Sequence, residues 1–222
     1  MERRALEECF MHVDALTCGL KWGMVAAGIG YVYETLDKLD RTLLDADSPR
    51  VAGLVELANL SSVLGNLLST GIVRASNGVF DRAGPHKYQD LRANASCPEA
   101  RNIEVKVSLE TNRPKAHLPK EGPHLTCRYV LGRDDGSYTI GERGDVVWIW
   151  EVRFGHLERK HYNISNTEGD SGKTAVVNTD GMQILQSVYF DTSRCPYSSR
   201  SKIRQALELD LAFHGLGNRP SK

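Results

Sequence analysis

Three residues within a span of seventeen could do hydrolytic chemistry together: Asp90, Glu104 and Lys106. The second and third sit in the run "NIEVKVSL", where apolar and polar residues alternate as in a half-buried strand. Side chains of a strand alternate between its two faces, so Glu104 and Lys106 point one way and Ile103, Val105, Val107 and Leu109 the other. The backbone carbonyl of Val105 stays free to face a cation. If Asp90 lies on a neighbouring segment, two carboxylates and a carbonyl form a hard oxygen site suited to Mg2+, with Mn2+ able to substitute. Water held at such a site, next to a lysine, is a nucleophile suited to phosphodiester hydrolysis. The same acid-x-lysine pattern also occurs as a simple surface ion pair, which contributes little.

The stretch that follows tilts the reading towards nucleic acid. "TNRPKAHLPKEGPH" sets Arg113, Lys115, His117 and Lys120 in a proline-punctuated loop whose donors suit a phosphate backbone. A second donor-rich stretch, "NTEGDSGKT", resembles a phosphate-binding P-loop at its Gly-Lys-Thr end. Thr167 stands where that pattern requires its first glycine, and "AVV" after the loop reads as strand rather than helix. No nucleotide cofactor is expected. Ser171, Lys173 and Thr174 are read instead as contacts to a DNA backbone.

The order acid, acid-x-lysine resembles the PD-(D/E)xK superfamily of metal-dependent nucleases, which includes many type II restriction endonucleases. The likeness covers residues 51–179 by element order, and its motif is carried by "QDL" and "IEVK". Gln89 stands where the family has proline. The resemblance implies a restriction-endonuclease-like α/β core, a mixed β-sheet flanked by helices, with Asp90 and Glu104 as metal ligands and Lys106 as the catalytic lysine. It also implies a supporting role for Glu56, the acidic residue on the helix before the motif. Asp81, in "VFDRAG", is an alternative to Asp90 as the first ligand. The expected activity is a Mg2+-dependent DNA endonuclease of the restriction type acting on double-stranded DNA. A homodimer is expected on symmetry grounds, since a twofold axis is the simplest way to cut both strands. The alternative is a non-catalytic nucleic-acid-binding or regulatory protein on the same kind of core.

These residues need elements to position them. Apolar spacing predicts helices over 5–13 and 20–44, then a third from 48 with Asp47 or Ser48 as cap, Pro49 in the first turn and Gly71 as stop. Strands are expected at 102–109, 124–132, 146–154 and 174–178, with turn residues at Asp135-Gly136 and Arg143-Gly144. "DGMQILQSVYF" and "SSRSKIRQALELDLAFHG" read as helices. Together they make one domain over 1–222, with 1–47 as a helical elaboration and 48–215 as the catalytic core.

Composition is that of an ordinary soluble chain: 222 residues, 41% hydrophobic, 25% charged, formal net charge zero. No overall field draws the chain to nucleic acid, so binding must rest on local basic clusters. Five widely spaced cysteines without a C-x-x-C pair argue against a disulfide framework and a thiolate zinc site. No apolar run approaches the roughly 20 residues of a membrane span, and a cytoplasmic location is expected.

Overall fold

A computed structural model of the chain describes residues 3–84, 89–165 and 174–218. Helix α1 (Trp22–Asp45) leads to a single turn, α2 (Val51–Leu54), and then to α3 (Leu57–Ala75). A hairpin follows, β1 (Phe80–Arg82) with β2 (Leu91–Ala93), and then β3 (Glu104–Leu109). After the short β4 (Lys115–Ala116) come the two long strands β5 (Gly122–Gly132) and β6 (Val146–Leu157). The chain continues through β7 (Tyr162–Ser165), β8 (Thr174–Val177), α4 (Thr179–Ile184), β9 (Gln186–Phe190) and α5 (Lys202–His214).

The main sheet is mixed, in the order β3-β5-β6-β9, with β3 parallel to β5 and the other pairs antiparallel. A second sheet, β4-β8-β7, is wholly antiparallel. The architecture is therefore mixed α/β, a mixed sheet flanked by helices with a helical N-terminal part. Among the described residues no helix is long and apolar enough to cross a membrane. All five cysteines are free, and burial pushes the Cys9 thiol up to about 12.

The two faces of the main sheet differ in kind. On one, Val105, Val107, Leu125, Cys127 and Tyr129 pack towards the helices. A Cβ at Gly65 of α3 would stand 3.5 Å from Val107, and the Tyr129 hydroxyl lies 3.1 Å from Ser61 Oγ. On the other face, β3, β5 and β6 set polar residues side by side: Glu104 by His124, Lys106 by Thr126 and Arg153, Ser108 by Arg128 and Glu151. Of these, Glu104, Ser108, His124, Thr126, Arg128 and Glu151 are buried.

Several sequence expectations change. Residues 5–13 are not a helix: two 3-10 turns (Glu7–Cys9 and Val13–Ala15) flank Phe10 and Met11, which bridge to Tyr189 and Gly215. Phe10, Val25, Ile29, Val32 and Leu36 belong to the same hydrophobic core as the strands, and the Tyr33 hydroxyl accepts from the Ile149 amide at 2.9 Å. The helix expected from residue 48 breaks at Val55 and Glu56, both extended. In "DGMQILQSVYF" only the first turn is helical; the β-forming Val188, Tyr189 and Phe190 complete β9 on the edge of β6.

Gly71 does not stop α3, which runs on to Ala75. It is needed where α3 crosses α1: a Cβ there would meet Tyr31 Cβ at 2.6 Å and Gly28 Cα at 2.8 Å. Gly30 of α1 has nothing within 4 Å of such a Cβ. Alanine at 71 should therefore destabilise the fold by about 1–3 kcal/mol through overpacking, although alanine is the better helix former by about 1 kcal/mol. Alanine at 30 should be neutral or stabilising. Urea midpoints of Gly71→Ala and Gly30→Ala test this, and equal midpoints would contradict the close crossing.

Candidate active site on the open edge of strand β3

Leu91 and Ile103 exchange both backbone hydrogen bonds, at 2.9 and 3.0 Å, in an antiparallel bridge. One step further in that register sets Asp90 opposite Glu104. Asp90 Oδ2 then accepts from the Val105 amide at 2.8 Å. Successive residues of a strand turn their backbone groups to alternate sides, and one residue's N–H and C=O share a side. Val105 therefore presents its carbonyl to the same edge as its amide, the edge that carries Asp90. The bridge thus sets the Asp90 carboxylate and the Val105 carbonyl on one strand edge, beside the residue that carries the Glu104 carboxylate.

Glu104 is 2% exposed. Its Oε1 lies 2.5 Å from Lys106 Nζ and 2.5 Å from Lys120 Nζ. Burial works to raise the carboxyl, and the two ammonium groups, Lys106 foremost, outweigh it and hold the carboxyl below the usual range. Its Oε2 is buried without a hydrogen-bond partner. A buried acceptor left unsatisfied costs free energy and calls for an explanation. A hard cation supplies one: Mg2+ takes oxygen ligands and keeps several waters, and the Asp90 and Glu104 carboxylates with the Val105 carbonyl match that donor set.

The surroundings are held by β5 and β7. His124, beside Glu104 in register and 1% exposed, places Nδ1 2.8 Å from the Gly122 carbonyl and Nε2 3.1 Å from the Tyr162 hydroxyl. A carbonyl only accepts, so Nδ1 carries a proton. Burial pushes the imidazole down, against the Gly122 carbonyl and the charge of Glu104. The neutral ring thus accepts at Nε2, and Tyr162 must share its one hydroxyl proton between His124 and the Lys120 carbonyl, 2.8 Å away. Further along this face, Glu151 sits between Arg128 at 2.6 Å and Arg153 at 2.8 Å. Burial raises its carboxyl, and Arg153 and Arg128 together bring it below the usual range.

The other sequence candidates fall into two groups. Lys120, expected to contact DNA, is brought to the Glu104 carboxylate itself. Arg113, Lys115 and His117 are exposed. Arg113 donates to Thr179 Oγ1 at 3.1 Å, and Lys115 lies in β4, paired with the strand that Thr174 opens. Glu56 is not brought to the site. It is exposed at the start of α3, and α3 packs on the Val107 face, opposite Glu104. Asp81 is exposed on β1, paired with Arg92 and separated from β3 by β2. Ser171 and Lys173 lie outside the described residues.

His124, Tyr162 and the charged row Arg128–Glu151–Arg153 had no sequence signal, because only tertiary pairing makes them neighbours. Comparison with protein-family models, with curated proteins and with solved structures finds no match for this chain.

Removing both cations should reverse the titration of Glu104. In Lys106→Met/Lys120→Met, burial acts unopposed and the carboxyl should titrate above the ordinary value of about 4.3, as read by carboxyl 13C NMR against the wild type. In the wild type the folded value lies below the unfolded one. The pairing therefore stabilises the fold above the ordinary carboxylate range, and that stabilisation is lost as pH falls through the lowered value. A Glu104 titration unchanged in the double variant would show that the lysines do not set it.

Proposed function

We propose that the chain is a metal-dependent endonuclease that hydrolyses phosphodiester bonds of double-stranded DNA, with a PD-(D/E)xK-like core and the restriction-enzyme type of activity. The observation that carries this reading is the Asp90 carboxylate bonded to the amide of the residue between Glu104 and Lys106. It brings Asp90 beside the stretch that carries Glu104 and Lys106, which are themselves ion-paired. The orphaned Glu104 Oε2 supports it independently.

Asp90, Glu104 and the Val105 carbonyl would hold Mg2+, or Mn2+ in its place. When bound, the ion supplies positive charge to the scissile phosphate and lowers the pKa of a water. Asp90 and Glu104 provide the negative charge that retains a divalent cation. Lys106, held against Glu104 on the same strand face, directs its ammonium at the charge that develops on the phosphate oxygens. Lys120 does the same from the loop. The exposed Arg113, Lys115 and His117, with Thr174 and the stretch containing Ser171 and Lys173, line up the backbone of the substrate without reading its sequence. A twofold homodimer would bring two such edges to the two strands of a duplex.

One observation favours a second reading, a non-catalytic nucleic-acid-binding or regulatory protein on the same core. Gln89 has a left-handed φ of 68°, which proline, locked near −65°, cannot adopt. The departure from the family motif is thus one of backbone geometry as well as of residue type.

Incubation of the protein with plasmid DNA and Mg2+, against an EDTA control, separates the two. A discrete fragment ladder is expected, with Glu104→Gln and Lys106→Ala each slowing cleavage by roughly 100-fold or more while circular dichroism is retained. Intact plasmid, together with DNA retention that ignores Mg2+, would establish the second reading in its place.

A further inference from the structure

We propose that His12, Asp210 and His214 form a binding site for a divalent transition metal, with zinc as the ion their chemistry favours, at the seam between the N-terminal segment and the end of α5. The site is remote in sequence from the strand edge of β3 and does not depend on the nuclease reading.

Backbone pairing builds it. Met11 and Gly215 form an antiparallel bridge, and the Leu216 amide donates to the Phe10 carbonyl at 2.8 Å. The same register makes His12 and His214 the next opposed pair, and their rings stack with centroids 4.2 Å apart at 30°. Asp210 lies one helical turn before His214, on the same face of α5. It reaches His12, with 2.7 Å between Oδ1 and Nε2. One ligand atom from each residue lies within 4.8 Å of the other two.

His12 adopts a left-handed backbone, φ 49° and ψ 30°. That conformation is rare for a residue with a side chain, and such outliers concentrate at sites where geometry is imposed. Here it turns the imidazole back over α5. Two imidazoles and one carboxylate make a donor set for zinc rather than for Mg2+, which prefers oxygen alone. Around a tetrahedral zinc with bonds of about 2.0–2.1 Å, ligand atoms stand roughly 3.3 Å apart. The His12–Asp210 pair, 2.7 Å apart, must open to admit the ion, and exposed His214 stands at the last position of α5. Three protein ligands leave a fourth position for water.

The metal would pin α5. Leu207 is the helix's one buried residue, and Phe213 is 80% exposed. Little apolar contact therefore holds the helix to the body of the protein. A metal bond to His12 would join its end to the segment that already pairs with β9.

The full chain, freed of metal by EDTA and dialysed, should take up one equivalent of zinc in a calorimetric titration, undisturbed by millimolar-scale Mg2+. Zinc at about 100 times its Kd should raise Tm by about 5–10 °C. His214→Gln and His12→Asn should each weaken zinc binding by more than about tenfold and cut the rise in Tm at the same zinc concentration to about half or less. Asparagine tolerates the left-handed backbone. Should His12→Asn lose its circular dichroism signal, the exposed His214→Gln decides alone. Failure of the wild type to bind zinc, or undiminished binding by His214→Gln, would overturn the site.

Discussion

The buried carboxylate of Glu104 is the constraint around which the site is arranged. A charge taken out of water is tolerated only when it is paired and hydrogen-bonded. Glu104 meets that condition by drawing two lysines onto one of its oxygens. One of them, Lys106, comes from its own strand. The other, Lys120, lies sixteen residues further on, in the segment that leads into β5. The second oxygen of Glu104 is left buried without a hydrogen-bond partner. The pairing thus both neutralises the carboxylate and decides which of its oxygens is available.

Around this centre the main sheet separates two kinds of interior. The face towards α1 and α3 is apolar and closely packed, to the point that two glycines are needed where the helices cross. The opposite face is polar yet buried. Each of its carboxylates is paired with two cations, Glu104 with two lysines and Glu151 with two arginines, so each set keeps one net positive charge. A surplus of positive charge held among buried polar groups suits a site in which electrostatics, rather than a deep apolar pocket, would orient the reactive groups.

The sequence was most informative where periodicity and local chemistry agree. The alternation in "NIEVKVSL" places Glu104 and Lys106 on one face, and the folded strand keeps that division. The long runs of β5 and β6, helix α1 and the extent of α5 were equally legible. Alternation does not tell which face is wet. The polar face of β3 reads as solvated, whereas Glu104 and Ser108 are buried because Arg128, Glu151 and Arg153 arrive beside them from strands far along the chain. Lys120 reads as a surface cation for the same reason, since nothing local reports that its loop folds back. β9 was misread because "MQILQ" carries helical spacing and the pairing with β6 overrides it. The pairing of Met11 with Gly215 joins the two ends of the described chain, and no local pattern in the sequence reports it.

Tyr162 gives the small sheet a consequence for the site. Its ring is packed among Leu157, Val177 and Leu185, and its hydroxyl holds the carbonyl of the very residue whose ammonium grips Glu104. Strand β7 is therefore tied to the carboxylate through one residue, Lys120, by its main chain on one side and its side chain on the other. Lys120 thereby joins the three-stranded sheet to the charge balance around Glu104.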